Sequence, residues 1–147
     1  MNGTPLPKKK KKQTNAQLKK KLDEVFSEHI RRSFADKSGF SSCYTCGKKA
    51  TWKELQCGHF LSRSYLATRF DERNCRPQCV GCNVFGGGKQ VAFAERLSRE
   101  LGEGIITELY KKAQEIVKDF PYEEKISYYQ EKLLAIEKKY EQSPPSI

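Results

Sequence analysis

No apolar run in the chain approaches the ~18 residues a membrane-spanning helix requires. The opening, MNGTPLPKKKKKQ, lacks the apolar stretch of a secretory signal and the arginine and serine of a transit peptide. These absences argue against a membrane protein and make an intracellular one the expectation. Acid is missing from the first 14 residues, where Lys8 to Lys12 supply +5. Histidine is scarce, with two residues, His29 and His59.

What is present is basic. The 147 residues carry a net charge of +10, unevenly spread. Residues 43–90 hold eight basic and three acidic side chains, whereas residues 91–147 hold nine basic and eleven acidic. Positive charge on the lysine run and the cysteine-rich segment, backed by a mildly acidic C-terminal third, suits a phosphate-binding face on a solvated scaffold. A lysine run is equally read as a solubilising or localising tail. The length is that of one domain: a disordered basic tail at 1–13, a zinc-containing domain at 14–141 with its core at 40–100, and a frayed end at 142–147.

Thr14 and Gln17 form a capping box opening a helix whose stripe is Leu18, Leu22, Val25, Phe26, Ile30 and Phe34, ending at Gly39. His29 lies beside that stripe and reads as a boundary histidine packed on the core. After the cysteine segment, Val91, Ala94, Leu97 and Leu101 form one helical stripe, and Ile105, Leu109, Ala113 and Ile116 a second. Tyr122, Ile126, Tyr129, Leu133, Ile136 and Tyr140 form a seam of under three heptads, suited to packing on the N-terminal helix and, as the sharper alternative, to dimerisation.

Six cysteines in a reducing compartment, four of them in two C-x-x-C pairs, point to metal. Cys43, Cys46, Cys79 and Cys82 offer four thiolates to one tetrahedral zinc, with Gly47 free to take the positive φ that folds backbone over sulfur. A closed four-thiolate site holds a structural metal. Cys57 and Cys75 remain and read as buried strand cysteines. If zinc clamps the two knuckles together, the chain between them loops out as a β-hairpin with arms near Thr51–His59 and Asn74–Gln78. His59, Asn74 and Asn83 then fall into one neighbourhood, and a helix or turn after Asn83 would close a ββα unit. Arg63, Arg69, Arg73, Arg76 and Lys89 surround it as phosphate-binding candidates; the plainer reading of each is a solvated basic surface.

The order C-x-x-C, G-H, N, C-x-x-C-N resembles the HNH, or ββα-metal, nucleases. The segments CYTCGKK, QCGHFLSRS and TRFDERNCRPQCVGCN, with the helix LDEVFSEHIRRSFADKS and the ending YYQEKLLAIEKKY, are similar over about residues 15–140 to the phage NinG (Rap) recombination proteins. A further relative by its closing C-x-x-C-N knuckle is the endonuclease VII type of junction resolvase. The resemblance implies an α+β fold: a small zinc-stabilised, treble-clef-like ββα-metal core between an N-terminal helix and C-terminal helices. It implies a structure-directed DNA endonuclease acting on branched recombination intermediates, Holliday junctions and D-loops, with branched DNA as partner and the host cytoplasm as location. A homodimer and other recombination proteins are candidate partners.

In that family the motif histidine, here His59, is the general base, and Asn83 carries Mg²⁺ or Mn²⁺ through its amide oxygen. Asn74 orients the histidine or braces the loop. One departure stands out: many HNH nucleases place a metal ligand directly before the histidine, and Gly58 occupies that position. Asp71 is the nearest carboxylate, a candidate second ligand whose plainer reading is a turn residue. The competing functions are a non-catalytic zinc-finger DNA-binding accessory protein and a helical scaffold that uses zinc only for stability.

Overall fold

The computed structural model describes residues 3–9 and 11–142. The expected frayed end at 142–147 therefore lies, apart from Gln142, outside the described residues. Of the expected tail, residues 3–9 and 11–13 are exposed and carry no helix or strand.

The fold is α+β. Thr14 opens α1 (Asn15–Ser33) through the capping box: its Oγ1 accepts the Gln17 N–H at 3.2 Å, and Gln17 Oε1 accepts the Thr14 N–H at 2.9 Å, an arrangement worth about 1 kcal/mol. The helix stops at Ser33, short of Gly39, because the Asp36 carboxylate captures the N–H groups of Ser38 and Phe40. Gly39, at φ +82°, lies in that turn, and Phe34 leaves the stripe for the surface.

Two antiparallel hairpins follow. The first pairs β1 (Phe40–Ser42) with β2 (Lys49–Thr51), and the Cys43–Lys48 turn joins them. It has no counterpart in the sequence reading, which began extended structure at Thr51. The second pairs β3 (Gln56–His59) with β4 (Cys75–Gln78), Gln56 opposite Gln78 and His59 opposite Cys75. A short helix α2 (Leu66–Arg69) and a 3₁₀ turn at Glu72–Asn74 lie between its arms. A π-helical turn at Gly81–Phe85 leads into α3 (Gln90–Leu101), α4 (Ile105–Ala113) and α5 (Tyr122–Glu141).

Side chains alternate across a strand, so the β3–β4 hairpin has two faces with different coverings. Cys57, His59, Cys75 and Pro77 share one face, which packs on α1; Cys57 and Cys75 join Leu18, Leu22, Phe26, Ile30, Tyr122, Ile126 and Tyr129 in the principal core. The C-terminal seam thus packs along α1. Gln56, Gly58, Arg76 and Gln78 share the opposite face, toward α3 and the closing knuckle. A second core joins Tyr44, Phe60 and Leu61 to Phe93, Leu97, Ile105 and Leu109. There Phe93 replaces the expected Val91 and Leu101, which are exposed, as is Ile116. Three apolar positions near one another on a helix leave the buried face ambiguous until the neighbouring element selects it. Among the described residues, no helix is long and apolar enough to cross a membrane.

Candidate metal centre and hydrolytic site

The β1–β2 turn brings Cys43 and Cys46 to one point, and the turn after β4 brings Cys79 and Cys82 to meet them. The four sulfurs lie within 4.8 Å of one another. Gly47, at φ +80°, makes the bend that lets the Lys48 N–H reach Cys46 Sγ at 3.4 Å. Cys46 and Cys79 sulfurs are 3.7 Å apart, close to the roughly 3.8 Å edge of a tetrahedron with Zn–S near 2.3 Å. Burial works to raise the Cys43 thiol, but donors from the Cys79 backbone and Thr45 outweigh it and draw the pKa to about 6. The Lys48 N–H works to lower Cys46, yet burial and the three neighbouring thiols push it up to about 12. Four thiols this close divide their protons unequally unless a cation neutralises them. The donor set fits zinc, and a site closed by four thiolates would hold it as a structural ion.

His59 ends β3 on the face toward α1, its ring 6.5 Å from that of Phe26. Its Nε2 is 2.9 Å from the Arg69 carbonyl oxygen. Burial lowers its pKa below the ordinary value, against the raising effect of that carbonyl. Asn74 is fully buried. Its Oδ1 accepts the Leu61 N–H at 2.8 Å, and its Nδ2 donates to the carbonyls of Leu61 and Thr68, both at 3.1 Å. That side chain ties the chain leaving β3 to the helix that presents Arg69, so it braces the loop holding the His59 ring.

Asn83 follows the last cysteine in the π-helical turn and donates from Nδ2 to Gln56 Oε1 at 2.8 Å. Gln56 has the parity of Gly58, not of His59. The structure therefore brings Asn83 to the hairpin but on the face opposite His59, where the sequence reading had grouped the two without distinguishing faces. On the His59 face a second group appears: ligand atoms of Cys57, His59 and Cys75 lie within 4.8 Å of one another and could hold a metal. Cys75 is fully buried, as expected of a strand cysteine, whereas Cys57 is half-buried.

Most of the remaining candidates pair within the protein. Asp71 is a turn residue: Oδ1 accepts the Arg73 N–H at 3.0 Å, and its carboxylate binds Arg73 Nη2 at 2.9 Å and Lys112 Nζ at 2.7 Å. Burial works to raise its pKa, but Arg73 and Lys112 outweigh that and hold it down to about 2. Both oxygens pair with cations of the protein itself. Arg76 is buried at 5 % exposure, donating to the Glu72 and Cys75 carbonyls at 2.6 and 2.7 Å and to Glu100 at 3.2 Å, so it braces β4 and cannot meet DNA. Arg69 is tied to Asp23 at 2.9 and 2.5 Å. Arg73 is half-exposed but pairs with Asp71 and Glu108. Arg63, although paired with Asp23 at 3.0 Å, keeps most of its side chain at the surface, and Lys89 is exposed.

His29 is buried, its Nε2 2.9 Å from Glu72 Oε1 and its ring 5.0 Å from that of Tyr129, a packed boundary residue. One polar residue was missed altogether. Gln78 is fully buried on the Gly58 face, and the only signal in the sequence was a glycine standing before the motif histidine.

Residues 6–141 match the family described as Bacteriophage Lambda NinG protein. The chain belongs to the NinG family. Among curated relatives, "Protein ninG" of Escherichia phage 933W and "Protein ninG" of Enterobacteria phage VT2-Sa are each 32% identical to it over 68 residues. The matched stretch is 46% of this chain and 33% of each relative, so the chain spans about a third of the NinG relatives it matches. No solved structure gives a significant match.

Proposed function

We propose that this NinG-family chain is a metal-dependent endonuclease that cuts branched recombination intermediates such as Holliday junctions and D-loops, with zinc on the four cysteines as a structural ion and Mg²⁺ or Mn²⁺ as the hydrolytic cofactor. The observation that carries it is the setting of His59. With Nε2–H donated to the Arg69 carbonyl, Nδ1 keeps its lone pair, and burial keeps the ring neutral at pH 7. That is the state a general base requires. The base takes the proton of the attacking water while Asn74 holds the loop that orients the ring.

Asn83, whose Nδ2 is committed to Gln56, has Oδ1 as the oxygen for a hard cation. A divalent cation held there would supply charge relief at the scissile phosphate and the leaving 3′ oxygen. The order hairpin, turn and α3 agrees with a ββα-metal core within residues 40–100, and the net charge of +10 agrees with a polyanionic partner. A cut across both strands of a junction calls for two such centres, hence a homodimer on the DNA; other recombination proteins complete the expected partners.

A second reading, a non-catalytic zinc-containing DNA-binding accessory protein, is favoured by Gly58 and by the opposed faces of His59 and Asn83. Incubating the protein with branched and linear DNA, with and without Mg²⁺, separates the two. Mg²⁺-dependent cutting of branched DNA is expected. Retention of uncut DNA regardless of Mg²⁺ establishes the accessory protein instead.

A further inference from the structure

The nuclease reading leaves a gap at Gly58. A cation held by one asparagine oxygen needs at least one more protein donor to be fixed in position, and Gly58 has no side chain to give. The structure fills that space from the opposite strand. A Cβ built on Gly58 would fall on Gln78 Oε1, and would lie 2.6 Å from Gln78 Cδ and 2.8 Å from Cγ. The glycine is required because the Gln78 amide lies across it.

That amide is held by one end only. Its Nε2 donates to Thr45 Oγ1 and to the Gly88 carbonyl, both at 3.0 Å. These two bonds fix the plane and point Oε1 over Gly58. Gln78 has 0 % exposure, and its Oε1 is buried with no hydrogen-bond partner. Buried acceptors are nearly always satisfied, and one that is not calls for an explanation such as an ion. An amide oxygen is a hard donor of the kind Mg²⁺ accepts.

The same surface carries Asn83. Gln78 stands directly across from Gln56, whose Oε1 accepts from Asn83 Nδ2 at 2.8 Å. The turn that bears Asn83 folds back through the Gly88 N–H to the Cys82 carbonyl at 2.9 Å, and the carbonyl of that same Gly88 receives Gln78. Gln78 and Asn83 are therefore anchored to one turn on one face of the hairpin.

We infer that Gln78 supplies, through Oε1, the second protein ligand of the divalent cation that Asn83 binds, on the Gly58 face of the hairpin. This rests on the nuclease reading and names the ligand that reading lacks. Two neutral amide donors would leave the cation its full charge.

The test is Mn²⁺ uptake by the zinc-loaded protein, followed by electron paramagnetic resonance without DNA. Gln78→Ala should weaken Mn²⁺ binding tenfold or more with zinc retained. The exchange variant, Gly58→Asp combined with Gln78→Ala, moves a donor oxygen into the same space from the other strand and should restore binding to within a few-fold of wild type. Gln78→Ala protein that is folded, zinc-loaded and binds Mn²⁺ like wild type overturns the inference, as does wild-type protein that takes up no Mn²⁺. If Gln78→Ala does not fold, Gln78→Met, which keeps the bulk without the oxygen, decides: weakened Mn²⁺ binding with zinc retained supports the assignment, and wild-type binding overturns it. Wild-type protein that binds Mn²⁺ through Gln78 but cuts no DNA sinks the nuclease reading alone.

Discussion

His59 Nε2 sits 2.9 Å from the carbonyl oxygen of Arg69, ten residues further along the chain. A carbonyl can only accept, so the nitrogen facing it carries the proton, and Nδ1 is left as the basic atom. The tautomer is set by the loop, and the loop by Asn74.

Replacing His59 with alanine is expected to preserve zinc, fold and DNA binding while cutting of branched DNA falls by ~10²–10⁴-fold, the usual worth of a general base. Because burial lowers the His59 pKa, the neutral base persists below the ordinary histidine range, and the wild-type rate should hold into mildly acidic buffer rather than halving near pH 6.5. Metal content serves as the control on role. One equivalent of zinc, unchanged in Cys57→Ser and Cys75→Ser proteins, leaves His59 free to act as a base. A second equivalent lost on His59→Ala would put a metal on Cys57, His59 and Cys75 and end that assignment.

Cys79 joins the two knuckles, its sulfur 3.7 Å from that of Cys46. Cys79→Ser should lose zinc, and because the metal closes the loop that carries both hairpins, the cooperative thermal transition should be lost with it. Atomic absorption and circular dichroism on the same sample check this; a zinc-free variant melting like wild type would contradict a structural role.

Asp71 contributes stability through charge. Its folded pKa of about 2 lies below the ordinary 3.8, so the folded state favours the ionised form. The contribution is complete above about pH 4 and is lost as pH falls through about 2. At roughly 1.4 kcal/mol per unit, the ion pairs with Arg73 and Lys112 amount to about 2 kcal/mol at pH 7. Urea denaturation should show Asp71→Asn destabilised by about that amount at pH 7, with the difference from wild type shrinking as the pH is taken from 4 toward 2.

Lys8 to Lys12 should add affinity without selectivity. Neutralising phosphates with five lysines releases about five counterions, so deleting residues 1–13 is expected to flatten the salt dependence of binding by about four units of log–log slope. Junctions and linear duplex should weaken by similar factors. A loss confined to junctions would show that the segment reads DNA shape.

Much of the site could be read directly along the chain, because its chemistry is encoded in short spacings. Two C-x-x-C pairs produce a four-sulfur cluster almost wherever the intervening chain goes, since each pair is a tight turn and zinc chemistry accepts little else. The capping box at Thr14 and the α1 stripe at Leu18, Leu22, Phe26 and Ile30 were legible for the same reason: they depend on neighbours three and four residues away. The NinG resemblance, carried by the cysteine knuckles and the G-H step, was borne out over residues 6–141.

What the sequence could not reveal depends on partners distant along the chain. Arg69, Arg73 and Arg76 look like a phosphate-binding row, yet each meets a carboxylate from another element: Asp23 in α1, Asp71 and Glu108, and Glu100 in α3. Charge is visible in a sequence; its neutralisation is not. The sequence by itself determined the family, the four zinc-type cysteines and the helical scaffold, because local spacing and hydrophobic period decide those. Only the tertiary structure decided which face of the β3–β4 hairpin each residue occupies, since the period of two is uninformative until α1 covers one side and the closing knuckle the other. That choice puts His59 with Cys57 and Cys75, puts Asn83 with Gln56, and lays the Gln78 amide over Gly58.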